Sequence, residues 1–200
     1  MMLPTETAEE IRAKYTEMQI ELENLEIERG AADEVPADSV TSELYLQLMA
    51  IYLIQNDLPN AKFVWKRAPD NIRKSASLSG MHRVFLALWS RDFPATYTAL
   101  NGTNWTPSVQ PLIADLRSLT VLRARSLLSN SYADVSQEDF CLLMGVPMST
   151  EGVAEACAEL GWTLNGGRVI PAKPAPPTEQ PLMSEAHLAK LAEFISFLEC

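Results

Sequence analysis

The sequence predicts a mainly α-helical chain in which helical hairpins run into a compact helix–helix–hairpin module and a separate helix follows. Three observations carry this reading. A turn-and-cap signature occurs twice, thirty-five residues apart; two short capped segments and a glycine-centred hairpin fill Asp134 to Pro171; and an apolar last segment stands behind a proline-rich stretch. At 200 residues, 47% of them hydrophobic, the chain is long enough for one large or two small domains. No apolar run reaches the ~18–20 residues needed to span a bilayer. The acidic start, Met1 to Glu10, suits neither a signal nor a transit peptide, so cytoplasm and nucleus are the expected compartments. The three cysteines are odd in number and far apart, and no disulfide and no metal are expected. Cys141 and Cys157 read as small buried apolar side chains.

Thr5 to about Glu28 should form one helix, with Ile11, Tyr15, Met18, Leu22 and Leu25 alternating at spacings of four and three on one stripe. Two heptads are too few for an independent coiled coil, so the stripe should dock on the rest of the protein or on a neighbour. Arg29 to Thr41 has turn formers and no apolar period, as a linker would. From Ser42 onward helix follows helix. Leu44, Leu48, Ile51, Tyr52 and Gln55 share one side of the first; Asp57-Leu58-Pro59 breaks it and caps a second, Asn60 to Arg67. Leu53-Ile54-Gln55-Asn56-Asp57-Leu58-Pro59 aligns with Leu88-Trp89-Ser90-Arg91-Asp92-Phe93-Pro94, and this offset is close to the ~34 residues of tetratricopeptide helical pairs. Asn101-Gly102-Thr103 closes the second hairpin. Thr106-Pro107 should open a long helix carrying Leu112, Leu116, Leu119, Leu122, Leu127 and Leu128 to about Tyr132.

In the module from Asp134 to Pro171, Ser136 is the expected N-cap of a helix whose first turn is acidic and which stops near Gly145. Ser149-Thr150-Glu151 opens a second helix with Val153, Ala156, Cys157 and Leu160 at helical spacing, ended by Gly161. Trp162-Thr163-Leu164 and Arg168-Val169-Ile170 flank Asn165-Gly166-Gly167, a turn suited to positive φ. Together these outline a winged helix. Many winged helices bind DNA, but this second helix has Glu151, Glu155 and Glu159 on one face and no Lys or Arg. Phosphate contacts supply most of a DNA-binding module's affinity, so the wing reads as a protein–protein element and the glutamate stripe as a solvated face.

Charge is distributed in blocks. Residues 1–59 hold thirteen acids and three bases, residues 60–125 three acids and ten bases, and residues 126–200 ten acids and three bases. The basic middle is either a nucleic-acid patch, built from Lys62, Lys66, Arg67, Arg73, Lys74, Arg83, Arg117, Arg123 and Arg125, or a surface complementing acidic neighbours. The acidic ends favour the second.

Pro171 to Met183 contains five of the thirteen prolines and reads as a semi-rigid spacer. Beyond it, Leu188, Leu191, Ala192, Phe194, Ile195, Phe197 and Leu198 fill an arc of roughly 200° on a helical wheel, about twice what docking on one surface needs. Such a helix should insert among several partner helices; folding back on the N-terminal helix is the alternative.

Helical hairpins feeding into a winged helix resemble the PCI domain shared by subunits of the proteasome lid, the COP9 signalosome and translation initiation factor 3. The run from Leu53 to Pro69, together with Trp89-Ser90-Arg91-Asp92-Phe93-Pro94, Val109-Gln110-Pro111-Leu112-Ile113 and Leu188 to Glu199, is similar to the subunit 8 family of the COP9 signalosome. The resemblance implies a non-catalytic scaffold subunit in a complex whose other subunits remove the modifier NEDD8 from cullins. It also implies a C-terminal helical bundle, with contacts along the wing's strand edge at Arg168, Val169 and Ile170. The candidate partner-binding residues are therefore Leu188, Leu191, Phe194, Ile195, Phe197, Leu198, Arg168, Val169 and Ile170. The implied division is 1–41, N-terminal helix and linker; 42–133, helical repeat; 134–171, winged helix; 172–183, proline-rich linker; 184–200, bundle helix. His82 and His187 are too far apart in sequence for a zinc-protease pair, and no nucleophile elbow or phosphate loop is present. No catalytic residue, no cofactor, no membrane and no nucleic-acid partner are expected.

Overall fold

The computed structural model describes residues 8–30, 39–173 and 184–198. Residues 5–7 of the expected first helix, most of the expected linker and residues 174–183 of the proline-rich spacer lie outside them. The first stripe does not form one helix but two, α1 (Ala8–Lys14) and α2 (Thr16–Gly30), broken at Tyr15. There the amide donates to Arg12 O at 3.2 Å, a tightened three-residue turn, while the phenol reaches another helix and donates to Asp115 Oδ2 at 2.5 Å. Ile11, Tyr15 and Leu22 are buried, whereas the break leaves Met18 and Leu25 exposed.

Helix α3 (Ser39–Gln55) was expected to present one apolar side, yet from Leu44 to Ile54 every residue but the half-buried Gln47 is buried. A helix apolar all round belongs in the centre, and α3 is packed by α2, α4 (Leu58–Arg67), α6 (Ala76–Trp89) and α8 (Gln110–Ser131). A short α5 (Asp70–Arg73) links α4 to α6, and α7 (Phe93–Asn101) pairs with α6.

The internal repeat extends to the backbone. Asn56 and Arg91 both adopt left-handed φ, 65° and 58°. The next amides, of Asp57 and Asp92, return to Tyr52 O at 2.8 Å and Ala87 O at 2.9 Å, closing each helix with a Schellman-type bond. The same two aspartates then cap the following helices, accepting from the amides of Asn60 and Ala95, and each is followed by a proline in the first turn. Thr106-Pro107 opens a turn rather than a helix: Val109 and Gln110 amides both return to Thr106 O, and α8 begins at Gln110.

The second module consists of β1 (Val135–Ser136), α9 (Gln137–Met144), α10 (Thr150–Leu160), β2 (Thr163–Asn165) and β3 (Arg168–Ile170), with Ser136 the N-cap of α9 as expected and Ser149 that of α10. Gly166 and Gly167 have φ of 56° and 80°, the double positive turn that matches the twist of a tight hairpin. The sheet order is β1-β3-β2, all antiparallel, with Val135 opposite Val169 and Leu164 opposite the same residue. This corrects the expectation of an open strand edge at Arg168, Val169 and Ile170. The two-residue β1, unseen in the sequence, pairs with β3 and makes it the central strand, so the long open edge is that of β2.

One apolar core surrounds α3, and a second joins α9, α10 and the sheet; α8 serves both. Leu112, Leu116 and Leu119 enter the first, Val121, Ala124 and Leu128 the second. Tyr97 seals the junction: its hydroxyl donates to Leu143 O at 3.0 Å, and its ring stands where a Cβ on Gly145 would come within 3.0 Å. Helical repeat and wing are therefore continuous. The last element is α11 (Ser184–Leu198).

Candidate functional site

The residues expected to meet partners divide into two places. On α11 every residue from 188 to 198 is exposed. Phe194 is 66% exposed, Phe197 79% and Leu198 80%, with Leu188, Leu191 and Ile195 above half. Six large apolar side chains facing water on one helix far exceed the scattered exposure normal for a protein surface. Fully burying each would contribute about 1.5–3 kcal/mol. At the wing, by contrast, Val169 is wholly buried, and Arg168 forms a two-pronged pair with Asp134, 2.7 and 2.9 Å. Only Ile170 of this trio offers an unpaired, partly exposed side chain, at 38%.

The longer free edge of the sheet is β2, where Thr163, Leu164 and Asn165 are all exposed. An unpaired row of backbone N–H and C=O groups can accept a further strand. Sequence reasoning assigned this role to the wrong strand of the hairpin, because nothing in Asp134-Val135-Ser136 distinguishes a two-residue strand from a helix cap. The opposite edge, β1, lines an open groove of about 690 Å³ with Pro94, Tyr132 and Leu142.

The glutamates of α10, Glu151, Glu155 and Glu159, all face solvent. The basic middle is largely engaged within the chain. Arg67 grips Glu26 with two bonds of 2.8 Å, Arg73 pairs with Asp70, and Arg117 donates to Asn101. Arg123 donates to Leu53 O and Ile54 O at 3.2 and 3.0 Å, neutralising the carbonyl end of α3. Burial, and after it the nearby charge of Arg12, brings its pKa down to about 10. Lys14 meets Asp115 at 3.0 Å, a second ion pair between the N-terminal helices and the repeat, and Arg67–Glu26 is the one that joins the basic block to the acidic one.

Among the described residues no group of three His, Cys, Asp or Glu side chains is placed to hold a metal ion. His82 is stacked on Trp65, and burial lowers its pKa; His187 falls within α11. Cys141 and Cys157 are free, buried thiols whose pKa values burial raises, whereas Cys200 lies outside the described residues. No helix among the described residues is long and apolar enough to cross a membrane.

Similarity to known proteins agrees with this architecture. Residues 39–181 match the sequence model of the CSN8/PSMD8/EIF3K family. The chain is 36% identical to COP9 signalosome complex subunit 8 of Xenopus laevis over 169 residues, 83% of this chain and 86% of that one. The zebrafish (Danio rerio) protein of the same name is 34% identical, covering 83% and 87% of the two chains. Its Drosophila melanogaster counterpart is 33% identical over 192 residues, 93% and 97%. With its helical repeat, its wing and a match across well over half its length, this chain belongs to the CSN8/PSMD8/EIF3K family.

Proposed function

We propose that the chain is a non-catalytic scaffold subunit of a COP9 signalosome, supporting the removal of NEDD8 from cullin-RING ligases by another subunit. The observation that carries this reading is α11: six large apolar side chains exposed on a helix that follows the folded body. Its chemistry is that of a helix meant to be surrounded, and in this reading the surroundings are a bundle of helices from the other subunits. The units of work are then the helical repeat over 42–133, the wing over 134–171, the spacer over 172–183 and the bundle helix over 184–200, with 1–41 as N-terminal helices and linker. The open edge of β2 gives a second contact, through backbone bonding to a neighbouring sheet. Residence in both cytoplasm and nucleus, without membrane or nucleic-acid partners, accords with this role.

Deleting residues 184–200 should abolish co-purification with the other signalosome subunits while the repeat and wing keep their melting temperature. Unchanged association removes the bundle helix from the mechanism. A PCI subunit of the proteasome lid or of initiation factor 3 is the alternative that the family description leaves in view, and mass spectrometry of the co-purified proteins separates the three. The isolated chain with added zinc should release no NEDD8 from a neddylated cullin; turnover in that assay would sink the non-catalytic assignment.

A further inference from the structure

One flank of the helical repeat carries a row of rings that neither assembly surface uses. Trp65 of α4 lies flat on His82 of α6, ring centres 3.9 Å apart and 10° from parallel. His82 continues to Phe85 and Phe85 to Trp89, each at 5.7 Å. Lys62, three residues before Trp65 on α4, holds its ammonium 5.2 Å from the centre of the Trp89 ring. The row starts half-buried at Trp65 and emerges at Trp89, which is 52% exposed, with Leu86 of the same helix at 50%. Its base is rigid, since Ala61 and Val64 of α4 and Met81 and Val84 of α6 are buried in the core.

The charge on this flank is one-sided. Lys62 and Lys66, a turn apart on α4, are exposed and make no ion pair among the described residues. The acids close to them in sequence are already engaged: Asp57 and Asp92 as N-caps of α4 and α7, Asp70 by Arg73. The indole N–H of Trp89 donates to no described residue. An exposed tryptophan edge with a free donor, beside the Lys62 ammonium and with Lys66 one turn further along α4, matches a ligand that has an apolar anchor and carboxylates around it. Nucleic acid fits less well. Base stacking needs open ring faces, and here His82 covers a face of Trp65 and Lys62 a face of Trp89, on a chain whose net charge is −10.

We propose that Lys62, Trp65 and Lys66 of α4, with Trp89 of α6, form a docking surface for an acidic segment of a partner protein. An apolar side chain of that segment sits against Trp89 and its carboxylates pair with Lys62 and Lys66. The surface is separate from α11 and from the wing edge, so it stands or falls independently of the assembly role.

Fluorescence anisotropy on the full chain tests it, with one short labelled peptide made in three versions around a fixed Leu-Phe-Pro anchor: flanked by Glu and Asp, by Gln and Asn, or by Lys. The acidic version should bind, weaken as salt is raised, and exceed the neutral version by about tenfold or more, with the basic version weaker still. Trp89→Ala and Lys62→Glu should each weaken the acidic peptide by about tenfold. If Trp89→Ala lowers the melting temperature, Lys62→Glu, a change at an exposed position, decides alone. Equal affinity for all three peptides, or an unchanged affinity in Lys62→Glu, overturns the proposal. So does tighter binding of a single-stranded oligothymidine than of the acidic peptide, which would mark the flank as a nucleic-acid surface.

Discussion

Helices α1 and α2 at one end and α11 at the other all lie at or beyond the margins of the family-matched region, residues 39–181. The first pair is fastened to the body by polar groups as well as apolar ones. Tyr15 and Lys14 share the carboxylate of Asp115, Tyr52 donates to Glu23 at 2.7 Å, and Glu26 takes both prongs of Arg67. Ile11, Tyr15 and Leu22 are buried beneath them. Helix α11 has a broader apolar surface and exposes every apolar side chain from Leu188 to Leu198. Apolar content therefore does not decide whether a terminal helix docks on its own chain. What decides is whether the body offers complementary groups, and it offers Asp115, Tyr52 and Arg67 to the first pair.

The sharpest test of this contrast is to remove each end in turn. Deleting residues 1–30 strips the cover from α3 and α8 and removes the three buried anchors Ile11, Tyr15 and Leu22, whose burial contributes about 1.5–3 kcal/mol each, a large part of a typical 5–15 kcal/mol total. Thermal denaturation should show a melt lowered by tens of degrees or no cooperative transition, whereas deletion of 184–200 should leave the melt in place. Equal effects would erase the distinction. A smaller version uses single residues. Leu22→Ala should cost about 2–5 kcal/mol in urea denaturation of the isolated chain, and Phe197→Ala less than about 0.5 kcal/mol. In a pull-down of partner subunits the ranking should reverse.

The smallest effect concerns the Tyr15 bond. Burial, then the hydrogen bond to Asp115, raises the Tyr15 pKa from 10.0 to about 12. The unfolded phenol ionises near 10 and the folded one later, so the folded state holds the extra proton in between. This contribution to stability is intact below pH 10 and disappears as pH climbs from 10 to 12. Tyr15→Phe should cost about 0.5–1.5 kcal/mol at neutral pH and flatten that alkaline loss. Stability curves of the two proteins that run parallel across this interval would remove Tyr15 from the fastening of α1.

The helical plan could be read in advance wherever local chemistry fixed it. Asp57 and Asp92 announce their caps because a carboxylate, then an apolar residue and a proline, suit little else; Ser136, Gly145, Ser149 and Gly161 bound their helices for similar reasons. The failures lie where distant groups decide. The break at Tyr15 depends on Asp115, a hundred residues away in sequence. The pairing of β1 depends on β3, and without it Arg168 to Ile170 reads as an edge. Asn56 and Arg91 give no glycine to mark their left-handed turns, which become visible only as matching members of the repeat. The apolar breadth of α11 was plain from its sequence, since it needs no partner within the chain to be recognised.

Because α8 contributes side chains to both cores, the wing and the repeat are packed on one shared helix. A push applied at the sheet by a neighbouring molecule therefore reaches the helical repeat through α8. Whatever grips one end of this molecule thereby aims the other.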